Sequence, residues 1–305
     1  MKNAPYLLHM FNPTKNVSPF DVNMAYEADF DRVIPYTSVE LEDIHGLTQD
    51  TIFSRGPAGV KRTSIFIGGR DFSLALDMLK RAKAAMVPPF EVSVFADPSG
   101  AITTAAAIVA TIERWVDKQG YGSLEGKKLS VIGTGPVGVC AGVLAAKCGA
   151  NVSLVSYLGP EVGQEIADEY NLKFAVDMKG VGSRTDDEIA YFLNTADIVI
   201  GAAKAGIRIL RTDQLQKAEN LIVAADVNAV PPLGIEGVAI NDMGKVIDAT
   251  PKKAVGIGAL AIGDIKYKVH YNLFKMMVEE KDSPIYIDHD ESFKVARQVA
   301  AERIK

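Results

Sequence analysis

Short runs of apolar, β-branched and aromatic residues alternate with longer stretches of helical periodicity almost from the start of the chain. Tyr6–Phe11, Arg32–Tyr36 and Ser64–Ile67 are predicted strands, each followed by a turn or helix signal. Between Asp71 and Met86, apolar positions at Phe72, Leu74, Leu76, Leu79, Ala82 and Met86 predict a helix that covers a sheet. Pro88-Pro89 breaks it, and Glu91–Ala96 reads as the next strand. The turn Asp97-Pro98-Ser99-Gly100 then opens an alanine- and isoleucine-rich helix to about Lys118, suited to join two domains.

A second punctuation, Glu125-Gly126-Lys127, starts a new pattern with strands at Leu129–Ile132, Asn151–Val155, Ile198–Gly201 and Leu221–Ala225. Strands separated by helical segments imply parallel βαβ units and a doubly wound sheet. Lys266–Glu280 and Glu291–Arg303 read as helices, the last expected to return to the first domain. There are no internal repeats or low-complexity segments.

Composition narrows the class. The 305 residues exceed the usual size of one domain, and 48% apolar with 23% charged residues is a globular balance. A net charge of -5 gives no reason to expect nucleic acid. The N-terminal MKNAPYLLHMFNPTKN lacks a leader's apolar core, and no run reaches the ~18 apolar residues of a membrane span. A cytoplasmic protein with no membrane partner is therefore expected. Cys140 and Cys148 fall in one predicted helix, ~12 Å apart at 1.5 Å per residue, beyond disulfide reach. They read as small core residues. His9, His45, His270 and His289 show no metal-ligand spacing, so no metal is expected.

The strongest local motif is the glycine pattern Gly133-Thr134-Gly135-Pro136-Val137-Gly138, after the strand Leu129–Ile132 and before an apolar helix and a second strand. In that context Gly133 permits a tight turn, Gly135 lets the backbone approach a pyrophosphate, and Gly138 lets helix and strand touch. The helix N-terminus receives the phosphates. A Rossmann-type dinucleotide site follows. At the end of the second strand stand Ser156 and Tyr157, with no Asp or Glu to take the ribose hydroxyls. NAD and NADP both stay admissible, Lys179 and Arg184 being the nearest basic residues downstream. Ala202 and Ala203 end the Ile198–Gly201 strand with small side chains that leave room for the nicotinamide half. Asp226 and Asn228 border the same crevice, or form an Asx turn into Pro231-Pro232.

The fold class is thus α/β with two domains, a Rossmann-type doubly wound parallel sheet and an N-terminal α/β substrate domain. The boundaries expected are 1–105 plus about 270–305 for the substrate domain and 106–269 for the dinucleotide domain.

Five further segments go beyond a generic dinucleotide fold: Ser18-Pro-Phe-Asp21-Val-Asn23, Ile65-Phe-Ile-Gly-Gly69, Asp97-Pro-Ser-Gly100 with Thr103-Thr104, Asp226-Val-Asn228-Ala-Val-Pro-Pro-Leu-Gly234, and Gly256-Ile-Gly258-Ala-Leu-Ala-Ile-Gly263-Asp-Ile-Lys266. In register over nearly the whole chain, they resemble the NAD(P)-dependent methylene-tetrahydromethanopterin dehydrogenases. The resemblance implies oxidation of methylene- to methenyl-tetrahydromethanopterin by hydride transfer to NAD(P)+, a pterin-binding N-terminal domain, and a homo-oligomer. A folate-linked methylene dehydrogenase shares the pterin head, and a non-catalytic NAD(P)-binding regulator shares the fingerprint, so both remain as alternatives.

The hydride leaves a carbon flanked by two nitrogens, which share the resulting positive charge, so the step needs orientation and no general base. Asp21, in a loop after the first strand with Asn23 beside it, offers paired acceptors to the guanidine-like edge of a pterin; a turn or helix cap is the other reading. Asp97, Ser99 and Thr103 open the linking helix and either face substrate or cap that helix. By the resemblance Lys266, after a flexible Gly256–Gly263 segment, faces the substrate and positions it. Asp21 and Lys266 are the two catalytic candidates. Tyr271 and Lys275 are spaced like a pair used by folate dehydrogenase/cyclohydrolases, but far from that pair's place in the chain; the match is assigned to chance.

Overall fold

The computed structural model describes residues 4–280 and 282–304. The elements run β1 (Leu7–Asn12), α1 (Pro19–Glu27), β2 (Arg32–Thr37), α2 (Asp43–Phe53), α3 (Pro57–Val60), β3 (Thr63–Ile67), α4 (Phe72–Ala84), β4 (Ser93–Ala96) and, after a 3-10 turn at Pro98–Gly100, α5 (Ala101–Lys118). Next come β5 (Lys128–Ile132), α6 (Pro136–Lys147), β6 (Asn151–Ser156), α7 (Pro160–Phe174), β7 (Met178–Gly182), α8 (Asp186–Leu193), β8 (Ile198–Gly201), α9 (Thr212–Leu215) and β9 (Val223–Asp226). The last are β10 (Met243–Val246), β11 (Val255–Ile257), α10 (Ala259–Glu279), β12 (Tyr286–Ile287) and α11 (His289–Arg303).

Two compact units result, one of Met1–Thr103 with Tyr267–Val295, the other of Thr104–Lys266 with Ala296–Lys305. The divisions fall inside α5, α10 and α11.

The first unit holds a five-stranded sheet in the order β12-β4-β3-β1-β2, with every neighbouring pair parallel. β3 and β4 are buried at every position, as expected of inner strands covered on both faces. β2 is an edge strand, partly exposed along its length, and tolerates Pro35 because its outer side has no ladder partner. The chain leaves β1 in one direction for β2 and in the other for β3, so the strand order reverses between β1 and β3.

The second unit holds a seven-stranded sheet in the order β10-β11-β9-β8-β5-β6-β7. All pairs are parallel except the edge pair β10–β11. Six parallel strands in the order β7-β6-β5-β8-β9-β11 form the doubly wound Rossmann arrangement. Its order reverses between β5 and β8.

Three local expectations change. Asp21 stands in the first turn of α1 rather than in a loop, because Ser18 is extended at the N-cap and Pro19 supplies a preset φ at the first helical position. The Gly256–Gly263 stretch is not a flexible segment: Gly256 is in β11 and Gly263 is inside α10. A side chain on Gly258 would overlap the Ala239 carbonyl, so that glycine serves close packing. Of the two cysteines only Cys140 is a core residue of α6; Cys148 caps the helix, half-buried, with its Sγ 3.3 Å from Arg297 Nη2. Among the described residues, no helix is long and apolar enough to cross a membrane.

Candidate functional site

Each sheet carries a cleft where its strand order reverses, the position at which open α/β sheets bind ligands. In the second unit a cleft of about 890 Å³ opens outside the ends of β5, β6 and β8. The register Ile132↔Gly201 brings the fingerprint turn beside Ala202, whose N–H donates to the Ile132 carbonyl at 2.9 Å.

The three glycines divide the work. Gly133 has φ +120°, and a side chain there would overlap the backbone of Ala202. On Gly138, a side chain would overlap the Gly133 carbonyl and lie 3.4 Å from Val131 Cγ1. Gly135 differs: its missing Cβ would meet nothing within 4 Å, so that side of the turn is open space at the N-cap of α6. Pro136 and Val137 begin the helix, whose first-turn N–H groups lack intrahelical acceptors. An open glycine face before a twelve-residue helix fits a pyrophosphate.

Gly133, Thr134, Gly135, Tyr157, Ala202 and Ala203 line this cleft. Tyr157 is 75% exposed, whereas Ser156 is buried and its Oγ accepts from Leu158 N–H at 3.2 Å. Asp226 and Asn228 are also buried and are not part of the lining. Asp226 accepts from the N–H groups of Asn228 and Ile235, both at 3.0 Å. Asn228 accepts from Gly206 and Val230 N–H at 3.0 Å and donates to Pro232 O at 2.7 Å. Together they pin the loop after β9. Burial pushes the Asp226 carboxyl above the ordinary carboxylate range, against the pull of its backbone hydrogen bonds.

Sequence reasoning missed Ile189 and Phe192 of α8, which give the cleft an apolar wall, and the cations Lys204, Arg208 and Arg211. Helical periodicity could have flagged the first two. The arginines carry no motif: Arg208 pairs with Glu236 at 2.5 Å, and Arg211 with Asp186 at 3.1 Å and Asp213 at 3.0 Å.

In the first unit a cleft of about 580 Å³ opens beyond the ends of β1 and β3, lined by Asn12, the Thr14–Pro19 loop, Asp21, Gly69, Arg70 and Ser99. Asn12 staples the loop, its Nδ2 donating to Thr14 O at 2.9 Å and to Asn16 O at 2.7 Å. Ser99, in the left-handed region at φ 51°, donates through Oγ to Gly69 O at 2.8 Å. The lining is polar, with Lys15 and Arg70 as exposed cations and Asp21 as a carboxylate only 3% exposed. Asn12, Lys15 and Arg70 were not legible beforehand, since the cleft exists only through the crossing of the chain at β1.

Of the other expected residues, Asn23 is exposed on α1 and lies outside the cleft lining. Asp97 and Thr103 are fully buried and bound to one another. Asp97 accepts from Ile102 N–H at 2.9 Å and Thr103 N–H at 3.2 Å, and from Thr103 Oγ1 at 2.6 Å. They fasten the start of α5 behind Ser99. His270 Nδ1 lies 3.2 Å from Asp97 Oδ2 within a cage of Phe20, Phe66, Phe95 and Phe274 rings. Lys266 is half-buried on α10. Lys275, four residues after Tyr271, is held by Asp29 at 2.7 Å and Glu279 at 3.4 Å.

Fold and site together define an α/β protein of the dinucleotide-dependent dehydrogenase class. A family model described as methylene-tetrahydromethanopterin dehydrogenase, N-terminal, matches residues 19–99. Over 298 residues the chain is 43% identical to the NAD(P)-dependent methylenetetrahydromethanopterin dehydrogenase of Methylorubrum extorquens, covering 97% of this chain and 99% of that protein. The chain belongs to this dehydrogenase family. Among solved structures it is similar to the NAD-dependent malic enzyme of Thermotoga maritima, with TM-score 0.54 and 15% identity, covering 96% of this chain and 84% of that one. Shikimate 5-dehydrogenase of Listeria monocytogenes gives TM-score 0.53 at 11% identity, covering 97% of each chain. At those identities the likeness is one of fold.

Proposed function

We infer that this chain is an oxidoreductase of one-carbon metabolism that oxidises methylene-tetrahydromethanopterin to methenyl-tetrahydromethanopterin, with the hydride passing to NAD(P)+. The observation that carries this reading is the 43% identity to such a dehydrogenase over 97% of the chain. The bound dinucleotide supplies the hydride acceptor. The chain's own part is to bind, orient and keep the reacting carbons at a near-attack distance of roughly 3–3.5 Å.

The second unit is the cofactor unit, an assignment supported by the open face at Gly135 and the absence of a side-chain cap at the N-terminus of α6. The first unit is the pterin unit, supported by a polar cleft at its own strand reversal. Within it Asp21 is the acceptor for the donor edge of the pterin, and Ser99 a second polar contact. Asp97 and Thr103 act one step back, by fixing the start of α5 directly after the turn that carries Ser99. Lys266 holds the polar edge of the substrate. It is not a charge stabiliser, because a cation beside a developing amidinium opposes the oxidation. Asn23 and Lys266 rest on the family resemblance alone, since neither lines a cleft. The partners are a small-molecule pterin and further copies of the chain in a homo-oligomer, in the cytoplasm, with no role for nucleic acid.

The test is the formation of reduced nicotinamide from methylene-tetrahydromethanopterin, with NAD+ and NADP+ supplied separately and methylene-tetrahydrofolate in parallel. Rapid reduction with the methanopterin carrier and slow or no reduction with folate is expected. Reduction with folate alone would move the chain to the other carrier. No reduction with either, by folded protein that binds dinucleotide, would leave a binding protein without the proposed reaction.

A further inference from the structure

We propose that Arg184 grips the 2′-phosphate of NADP and makes this chain select NADP over NAD; the proposal rests on the cofactor half of the function inferred above. Selection between the two dinucleotides is made at the ligand end of the second Rossmann strand, here β6, where an acid receives the ribose hydroxyls of NAD and repels a phosphate. From Ser156 to Pro160 there is no acid.

Two basic residues follow on β7, and the register separates them. Lys179 pairs with Ser153, whereas the strand end Ser156 pairs with Gly182. Lys179 therefore stands three residues back, about 10 Å short of the ligand edge at ~3.3 Å per residue. Arg184 lies two residues beyond β7. The Ser183 N–H donates to Ser156 O at 3.1 Å, which ties this segment to the end of β6, and Ser183 itself lines the cofactor cleft.

The Arg184 guanidinium then lies across Gly159, three residues past Ser156. A side chain at Gly159 would overlap the guanidinium, and its φ of +110° also favours glycine. Around the guanidinium, Glu161 is 3.9 Å from Nη1, in a pair whose side chains are 50% and 73% exposed. Glu188 is engaged by the Arg184 main chain, accepting from its N–H at 2.5 Å. An exposed single-contact pair of this kind contributes little, while a phosphate offers the guanidinium fork two parallel charge-assisted hydrogen bonds. Arg208 and Arg211 line the cofactor cleft itself, which Arg184 only borders through Ser183, but carboxylates hold them more closely, at 2.5 to 3.1 Å.

The test is fluorescence titration of the full-length protein with NADPH and NADH, for wild type, Arg184→Ala and Arg184→Lys, with 2′,5′-ADP and 5′-AMP as competitors. Wild type should bind NADPH more tightly than NADH and be displaced better by 2′,5′-ADP. In Arg184→Ala the NADPH dissociation constant should rise about 10- to 100-fold, the loss of charge-assisted hydrogen bonds, with NADH unchanged. Arg184→Lys should fall between, since it keeps the charge without the fork. An unchanged NADPH affinity in Arg184→Ala, or equal weakening of NADPH and NADH, overturns the proposal; equal weakening would mark a structural role. Wild type binding neither dinucleotide overturns both this proposal and the cofactor half of the inferred function. Since the readout needs no pterin turnover, NADPH selectivity that depends on Arg184 supports the proposal even if the substrate assignment fails.

Discussion

Gly135 and Gly138 stand three residues apart in one motif and must fail differently when a side chain is added. At Gly135 the side chain projects into open space, so Gly135→Val should leave the fold intact and block the approach of a pyrophosphate. On Gly138 it would overlap the Gly133 carbonyl, so Gly138→Val should destabilise the second unit by about 1–3 kcal/mol or more, as overpacked cores do. Thermal unfolding and NADPH titration of both variants separate the effects. Lost binding without lost stability is expected for the first, and lost stability for the second. Equal melting behaviour of the two would refute this division of roles. Asp226 and Asn228 teach the same caution at residue scale: polar groups on a ligand-side loop here are spent on the loop's own backbone.

At the scale of elements, the edge pair β1–β2 carries an acid-sensitive contact. His9 on β1 has its Nδ1 3.1 Å from Tyr36 Oη on β2. Burial, with the nearby Arg55 charge adding, holds its pKa below the ordinary 6.5. As pH falls through that value, the unfolded chain takes up a proton that folded His9 resists. The stability present above it is therefore lost progressively until pH passes the lowered folded value. His9→Asn should lose less stability than wild type as pH falls below the ordinary histidine value of 6.5, read by denaturant unfolding. Equal losses in both proteins would remove His9 from the acid response.

The same scale explains what the sequence made legible. β3, β4, β5, β6 and β8 were found within two residues because buried parallel strands are continuous apolar runs. β7 was missed because its Met-Lys-Gly-Val-Gly has too few apolar residues, and the glycines have a packing cause. A side chain on Gly180 would overlap the backbone of α7 at Gln164. The close helix contact that builds the element thus erases its periodic signal. β12, two residues long, offers no period at all.

For the whole molecule, two sheets of different strand order each open a cleft at their own point of reversal, one polar, the other with an apolar wall and a glycine turn. The glycine turn was legible because a local motif encodes it. The polar cleft was legible only in part: Asp21 and Ser99 were candidates from the sequence, whereas Asn12, Lys15 and Arg70 join them only through the topology of the sheet. Two units that each open a cleft suit a reaction in which the protein orients two ligands and only a hydride moves between them. The most direct test supplies methylene-tetrahydromethanopterin deuterated at the methylene carbon, with NADP+ in ordinary water, and reads the product nucleotide by mass spectrometry. One deuterium per reduced nicotinamide is expected, carried over without exchange. Reduced nicotinamide free of deuterium, or none formed by protein that binds NADPH, would contradict it.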